Sequence, residues 1–277
     1  MSLNPEFRFS QNNLQDYLDC PRRFELRHIL RQAWPALESE PVLEQEQLMA
    51  EGRQFHKLIQ QFIVGLPAEN LEESAVSASL SHWWANFLQS SPLNDLPLKR
   101  FVEHYLSCPS GGYRLSAQYD LLAIEPGKRA LIFDWKTSAR KPGREFLKNR
   151  MQTRVYRYLL VEAGAKLNNN LPLIPEKVEM IYWFAEYPNE PERFLYDEKQ
   201  FAADRAYLSH LIAEIAGQEL GQFILTSDEK KCAYCNYRSL CKRREKAGNW
   251  NEQEEEPAAV NAPQVDLNFE QIGEVEF

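Results

Sequence analysis

Apolar residues follow helical spacing up to about Leu88 and take on strand-like alternation from Arg100 onward. Ser10-Gln11-Asn12-Asn13-Leu14 offers a helix N-cap, after which Leu14, Tyr17, Leu18, Phe24, Leu26 and Ile29 recur near helical intervals. Gln45 to Val64 is a second predicted helix, with a stripe of Leu48, Phe55, Leu58, Ile59, Phe62 and Ile63, and Ser74 to Leu88 is a third. Strands are predicted over Arg100–Ser107, Tyr113–Ile124 and Leu131–Lys136, with Glu125-Pro126-Gly127-Lys128 as a turn. Arg144 to Ala163 returns to helix, Leu147, Met151, Val155 and Leu159 lying at i, i+4. Val178–Ala185 and Arg193–Tyr196 read as further strands and Phe201–Gly217 as a last helix. The order predicts an α/β core wrapped by N- and C-terminal helical material. No internal repeat is visible.

At 277 residues and 44% hydrophobic content the chain can bury a sizeable core. Its net charge of −8 argues against a nucleic-acid partner until the charges are placed. Residues 249–277 carry eight acids and no Lys or Arg, leaving 32 acids against 32 bases before them. That tail, with Pro257 and Pro263, cannot form its own core, although Leu267, Phe269 and Ile272 could dock on a protein partner. Within the neutral body, Lys136, Arg140, Lys141, Arg144, Lys148, Arg150, Arg154 and Arg157 are opposed only by Glu145. Such a run is either a basic face for a phosphate backbone or an ordinary solvated helix face. No apolar leader follows Met1, and no run approaches the ~18 residues that span a bilayer. The expectation is a soluble cytoplasmic protein.

The chemistry concentrates at Ala130-Leu131-Ile132-Phe133-Asp134-Trp135-Lys136. Side chains at i and i+2 share one face of a strand, so Asp134 and Lys136 point into the same space. Asp120 is a lone carboxylate in the preceding strand, and a hairpin would bring it beside Asp134. Two acids and a lysine at the ends of apolar strands are costly unless a cation or substrate lies between them. That is the composition of a metal-dependent phosphodiesterase site. Hard carboxylate oxygens suit Mg²⁺ or Mn²⁺, and Lys136 could orient an attacking water or neutralise developing charge. Gln152 and Tyr156 share one face of the following helix.

Asp120, Asp134-Trp135-Lys136 and Gln152-x3-Tyr156, in this order, resemble the RecB-like branch of the PD-(D/E)xK nuclease superfamily. Gly52-Arg53-Gln54-Phe55-His56 resembles the histidine helix before that core, so the likeness spans roughly residues 50–160. It implies that His56, Asp120 and Asp134, with the Trp135 main-chain carbonyl, hold a metal. Lys136 would be the catalytic lysine, and Gln152 and Tyr156 would position substrate. The imidazole would tilt the preference toward Mn²⁺, and Gly52, one turn before His56, would leave room for a ligand. Read from the residues alone, a core histidine with satisfied hydrogen bonds is the favoured reading of His56 over a ligand. Ala117 stands where relatives often have Gly, and its methyl would narrow the approach of a nucleic-acid backbone.

Cys232, Cys235 and Cys241 are spaced x2 then x5, one ligand short of a tetrahedral or cubane site, and Cys20 supplies a fourth candidate. Some members of the same branch, including the CRISPR-associated iron–sulfur exonucleases, resemble this arrangement, which implies a structural [4Fe–4S] cluster. Zinc is the competing occupant. Cys108 reads as an ordinary thiol. Arg22, Arg23, Arg27, Lys230, Lys231, Lys242, Arg243, Arg244 and Lys246 flank the cysteines and would merge into one basic surface. Tyr234 and Tyr237 either stack on unpaired bases or pack around the metal loop.

The expected fold is therefore α/β, a restriction-endonuclease-like core whose mixed sheet is flanked by helices, with terminal helical segments joined at a four-cysteine metal site. Residues 1–99 would form an N-terminal helical region, 100–220 the nuclease core, 221–248 the cysteine-rich segment and 249–277 the acidic tail. The expected function is metal-dependent hydrolysis of DNA, single-stranded by resemblance and from an end. The alternative is a weakly catalytic nucleic-acid-binding or assembly protein with a zinc site.

Overall fold

Ser10 closes a three-residue strand, β1 (Arg8–Ser10), and caps helix α1 (Gln11–Asp19). The Ser10 hydroxyl accepts from the Asn13 N–H while the Asn13 side chain accepts from the Ser10 N–H, a reciprocal cap that fixes where the helix begins. The computed structural model of the chain describes residues 3–32 and 40–243. Arg244, Lys246, the acidic tail and the Tyr234 side chain lie outside the described residues.

The single helix expected through Ile29 is three pieces: α1, α2 (Pro21–Phe24) and a π-helical turn over Glu25–Ile29. Cys20 makes the break with extended backbone, because Pro21 disfavours helical geometry in the residue before it. Leu18 falls off the buried stripe and is exposed. Next come α3 (Glu40–Ile63), α4 (Ala68–Glu72) and α5 (Ala78–Ser90). Leu48, counted in the α3 stripe, is also exposed. The middle of the chain supplies β2 (Lys99–Ser110), β3 (Tyr113–Glu125) and β4 (Arg129–Lys136). The helix expected over 144–163 is split into α6 (Arg144–Asn149) and α7 (Met151–Ala163) by extended backbone at Arg150. Then follow β5 (Val178–Phe184), β6 (Tyr187–Leu195) and α8 (Glu198–Ala216), which Asp197 caps. β6 begins six residues before the expected strand, since Asn189, Glu190 and Pro191 carry no apolar alternation.

The sheet is mixed. β2 runs antiparallel along nearly all of β3. The other edge of β3 is divided between two strands: β1 pairs in parallel with Arg114–Ser116, and β4 pairs antiparallel with Leu121–Glu125. β5 adds to β4 in parallel, and β6 closes that side antiparallel. Between Ser116 and Leu121, that edge of β3 has no strand partner among the described residues.

Helices cover both faces. α1, α7 and α8 bury one core against the sheet with Phe9, Leu115, Tyr119, Ile132, Met180 and Tyr182. α3, α4 and α5 bury the other, where Phe55, Trp83, Trp84, Phe87, Trp135 and Trp183 pack ring against ring. A mixed sheet between two helical layers is the expected architecture. No helix among the described residues is long and apolar enough to cross a membrane.

The first helix is tied to the far end of the chain. Tyr17 donates to Glu214 at 2.7 Å and accepts from Gln218, Arg22 N–H donates to the Ile224 carbonyl, and Phe24 packs on Phe223. Asp16 is buried between Arg23, Arg27 and His28. Burial alone would raise its carboxyl, but the His28 bond and the two arginines hold it below the ordinary range. Asp19 continues the network to Arg23 and Lys231.

Candidate active site

The gap along β3 is where the predicted site residues meet. Asp120 immediately precedes Leu121 and Asp134 immediately follows Phe133, the end pair of the β3–β4 ladder, so the acids face each other at its mouth. Trp135 N–H donates to the Asp120 carboxylate at 2.9 Å. Side-chain alternation slips at this point. Leu115, Ala117 and Tyr119 pack on the α7 side, whereas Leu121 and Ala123 pack on the α5 side. Glu103, opposite Asp120 on β2, drops out of the ladder and adopts a left-handed φ of 49°. A non-glycine residue held there is strained, and such strain concentrates at functional sites.

Groups from both helical layers reach the gap. His56 comes from α3, with Nε2 2.9 Å from the Trp135 carbonyl and Nδ1 3.5 Å from Asp120. From α7, Gln152 Nε2 donates to Asp134 Oδ1 at 2.5 Å, and its Oε1 accepts from Lys136 Nζ at 3.2 Å. Lys136 Nζ also pairs with Asp134 Oδ2 at 2.9 Å. Tyr156 donates to the Gln118 carbonyl, an acceptor on the unpaired stretch of β3. The structure thus assembles His56, Asp120, Asp134, Trp135, Lys136, Gln152 and Tyr156 in one place.

Three acids crowd a largely desolvated space, and their charges set one another. Burial and the Asp120 charge raise the Glu103 carboxyl. Asp120 is lowered: burial opposes this, but the His56 charge and bond outweigh it. Desolvation works against a charged His56, yet the Asp120 and Asp134 carboxylates lift it to about 9. Burial, with the same two acids, raises Tyr156 well above its ordinary value, so its hydroxyl keeps its proton. His56, Glu103 and Asp120 each offer a ligand atom, all within 4.8 Å of one another. Two carboxylates and an imidazole at that spacing can hold a divalent cation, which would relieve the repulsion. Glu103 escaped the sequence reading. Its signal was the one Asp120 gave, a lone acid in an apolar strand run.

Several expectations change. Most of the predicted basic face is neutralised: Lys141 and Arg144 pair with Glu192, and Arg154 pairs with Asp204. Arg157 is buried against Tyr196. Arg140 is exposed. Near the cysteines, Arg22 pairs with Glu25, Arg23 and Arg27 with Asp16, Lys231 with Asp19 and Arg243 with Glu229, so these five charges are neutralised locally, while Lys230 and Lys242 are exposed. Tyr237 is buried and donates to the Gln32 carbonyl, which removes it as a base-stacking platform. Ala117 points into the core, away from any substrate path. A Cβ at Gly52 would meet Thr137 Oγ1 at 3.0 Å, so the glycine admits Thr137 rather than a ligand.

Cys20, Cys232, Cys235 and Cys241 line one small cavity together with Arg23, Tyr237 and Arg238. None of the four is in a disulfide, and no three of their sulfurs lie within 4.8 Å of one another. Burial pushes the Cys235 thiol up to about 11 and raises Cys241. Arg238 Nε is buried without a hydrogen-bond partner among the described residues. Cys108 is buried elsewhere, its thiol raised to about 11 by burial.

The profile of the PD-(D/E)XK nuclease superfamily matches residues 8–242, and the chain belongs to that superfamily. It is a nuclease. Enzymes of this superfamily use divalent metals such as Mg²⁺ or Mn²⁺. Among solved structures, the protein SSO0001 is similar at 13% identity over 86% of this chain and 87% of its own, with a TM-score of 0.41. A Eubacterium rectale protein described as a candidate exonuclease is similar at 8% identity over 76% of this chain and 80% of its own, with a TM-score of 0.47. No curated protein matches the chain.

Proposed function

We propose that the chain is a RecB-like nuclease, similar to the CRISPR-associated iron–sulfur exonucleases, that degrades single-stranded DNA from an end. The observation that carries this reading is the meeting of His56, Asp120, Asp134, Lys136, Gln152 and Tyr156 at one break in the sheet. Two layers and three parts of the chain converge there. In this reading His56, Asp120, Asp134 and the Trp135 carbonyl hold the metal, and Glu103 adds a further carboxylate. A bound divalent ion would stabilise charge on the phosphate and lower the pKa of a water. Lys136, fixed between Asp134 and Gln152, holds its ammonium where a nucleophilic water or a developing negative charge would lie. Gln152 and Tyr156 position the substrate, Tyr156 as a neutral hydroxyl.

The substrate is tested with end-labelled linear and covalently closed circular single strands in Mn²⁺. Linear strands should be degraded and circles spared. Circles cut as fast as linear strands would overturn the exonuclease reading, and cleavage confined to duplex or RNA would overturn the single-stranded DNA reading. His56 ligation makes Mn²⁺ the better activator, an advantage that His56→Ala should lose. An identical Mn²⁺ to Mg²⁺ activity ratio in both proteins would make His56 an ordinary packing residue.

The four cysteines are assigned to a structural [4Fe–4S] cluster, with Zn²⁺ as the alternative. The residues fit such a group. Four thiols, two of them buried and two half-buried, share one cavity with an arginine nitrogen that has no hydrogen-bond partner among the described residues, and four thiolates around either occupant leave a net negative charge that Arg238 would offset.

A further inference from the structure

We propose that Gln11 and Gln15, on the first helix, are positioning residues of the active site, seating α7 and the Tyr156 hydroxyl against the gap in the sheet. The proposal rests on the reading of Gln152 and Tyr156 as substrate-positioning groups.

α7 begins without a side-chain cap of its own, because Arg150 makes no bond to its first turn. Gln15 supplies one from another helix: its Oε1 accepts from the Met151 N–H at 3.2 Å. That amide is among the orphan donors of a helix N-terminus, which a Ser or Asp cap would ordinarily satisfy. Gln152 is the next residue. Where the first turn of α7 sits therefore decides how the Gln152 amide meets Asp134 and Lys136.

One turn earlier on α1, Gln11 Nε2 donates to the Tyr156 hydroxyl at 3.2 Å. A phenol has one proton to give, and Tyr156 gives it to Gln118. The Gln11 donor occupies a lone pair on the same oxygen, so the hydroxyl is held from both sides. The tyrosine ring is fixed independently, since Tyr119 packs against it and donates to the Tyr156 carbonyl. What Gln11 adds is the orientation of the hydroxyl alone.

A second observation separates this from a packing role. Gln11 Oε1 is buried with no hydrogen-bond partner among the described residues. A buried acceptor left unpaired costs stability, so a residue present only to complete the core would be apolar at this position. Glutamine at position 11 sacrifices one end of its amide to place the other on Tyr156.

Gln11→Met keeps the side-chain length and removes the donor. The expected result is a roughly fivefold fall in kcat, the effect of one neutral hydrogen bond, with KM, metal activation and melting temperature unchanged. In a Tyr156→Phe background, which has no hydroxyl to orient, Gln11→Met should change kcat less than about 1.5-fold. Gln15→Met should lower kcat and speed amide exchange at Met151; Gln15→Glu is no rescue, because the Gln15 amide also donates to the buried Asp19 carboxylate at 3.1 Å. If Gln11→Met lowers kcat equally with and without the Tyr156 hydroxyl, or leaves it at the wild-type value, the proposal is overturned. Wild-type kcat in Tyr156→Phe alone would instead remove Tyr156 from the machinery and leave the Gln15 measurements to decide the role of α1 at Gln152.

Discussion

Asp134→Asn and Lys136→Met will each lower metal-dependent cleavage by at least ~10²-fold, a typical loss for a group that stabilises charge in the transition state. Both replacements keep the side-chain shape. Asp134→Asn retains an oxygen for the Gln152 amide but removes the charge that Lys136 and a metal would share. Lys136→Met leaves the apolar stem near the Tyr182 ring and removes the ammonium. The metal-free protein should also lose stability in the first, because Asp134→Asn leaves the largely buried Lys136 ammonium without its charged partner and removes a charge that favours protonated His56. The two measurements separate the readings. Metal ions should raise the melting temperature of the wild type and lose most of that effect in Asp134→Asn. Cleavage within tenfold of wild type in either variant, after contaminating nuclease is excluded, would sink the assignment.

The second large effect is expected at the cysteines. Anaerobically purified protein should be brown and carry about four iron and four sulfide per chain. Cys20→Ser should lose that metal and melt well below the wild type, because the binding energy of such a site is folding energy and Cys20 closes a loop of more than two hundred residues onto Cys232. Zinc in stoichiometric amount without iron would replace the cluster by a zinc staple. Full metal content with an unchanged melting temperature in Cys20→Ser would remove Cys20 from the site.

Much of the site was legible because it depends on short-range geometry. The i, i+2 relation of Asp134 and Lys136, the tight turn that sets the Asp120 register and the i, i+4 pair of Gln152 and Tyr156 each follow from one element or one hairpin. Glu103 was not legible: its approach to Asp120 needs the β2–β3 register, and its left-handed backbone belongs to the slip in alternation that no run of residues announces. The basic run misled because its neutralising acids, Glu192 and Asp204, lie about fifty residues along the chain. Gly52 and Ala117 misled because each contact belongs to a neighbouring element, Thr137 in one case and the core under α7 in the other. The break at Cys20 could have been read from Pro21 alone.

The ties between the first helix and the last quarter of the chain bear on the order in which the protein can be made. Every residue of the catalytic gap leaves the ribosome by Tyr156, but Tyr17 waits for Glu214, Arg22 for Ile224 and Asp19 for Lys231. A nascent or truncated chain ending before Glu214 has the acids and the lysine without the partners that seat α1.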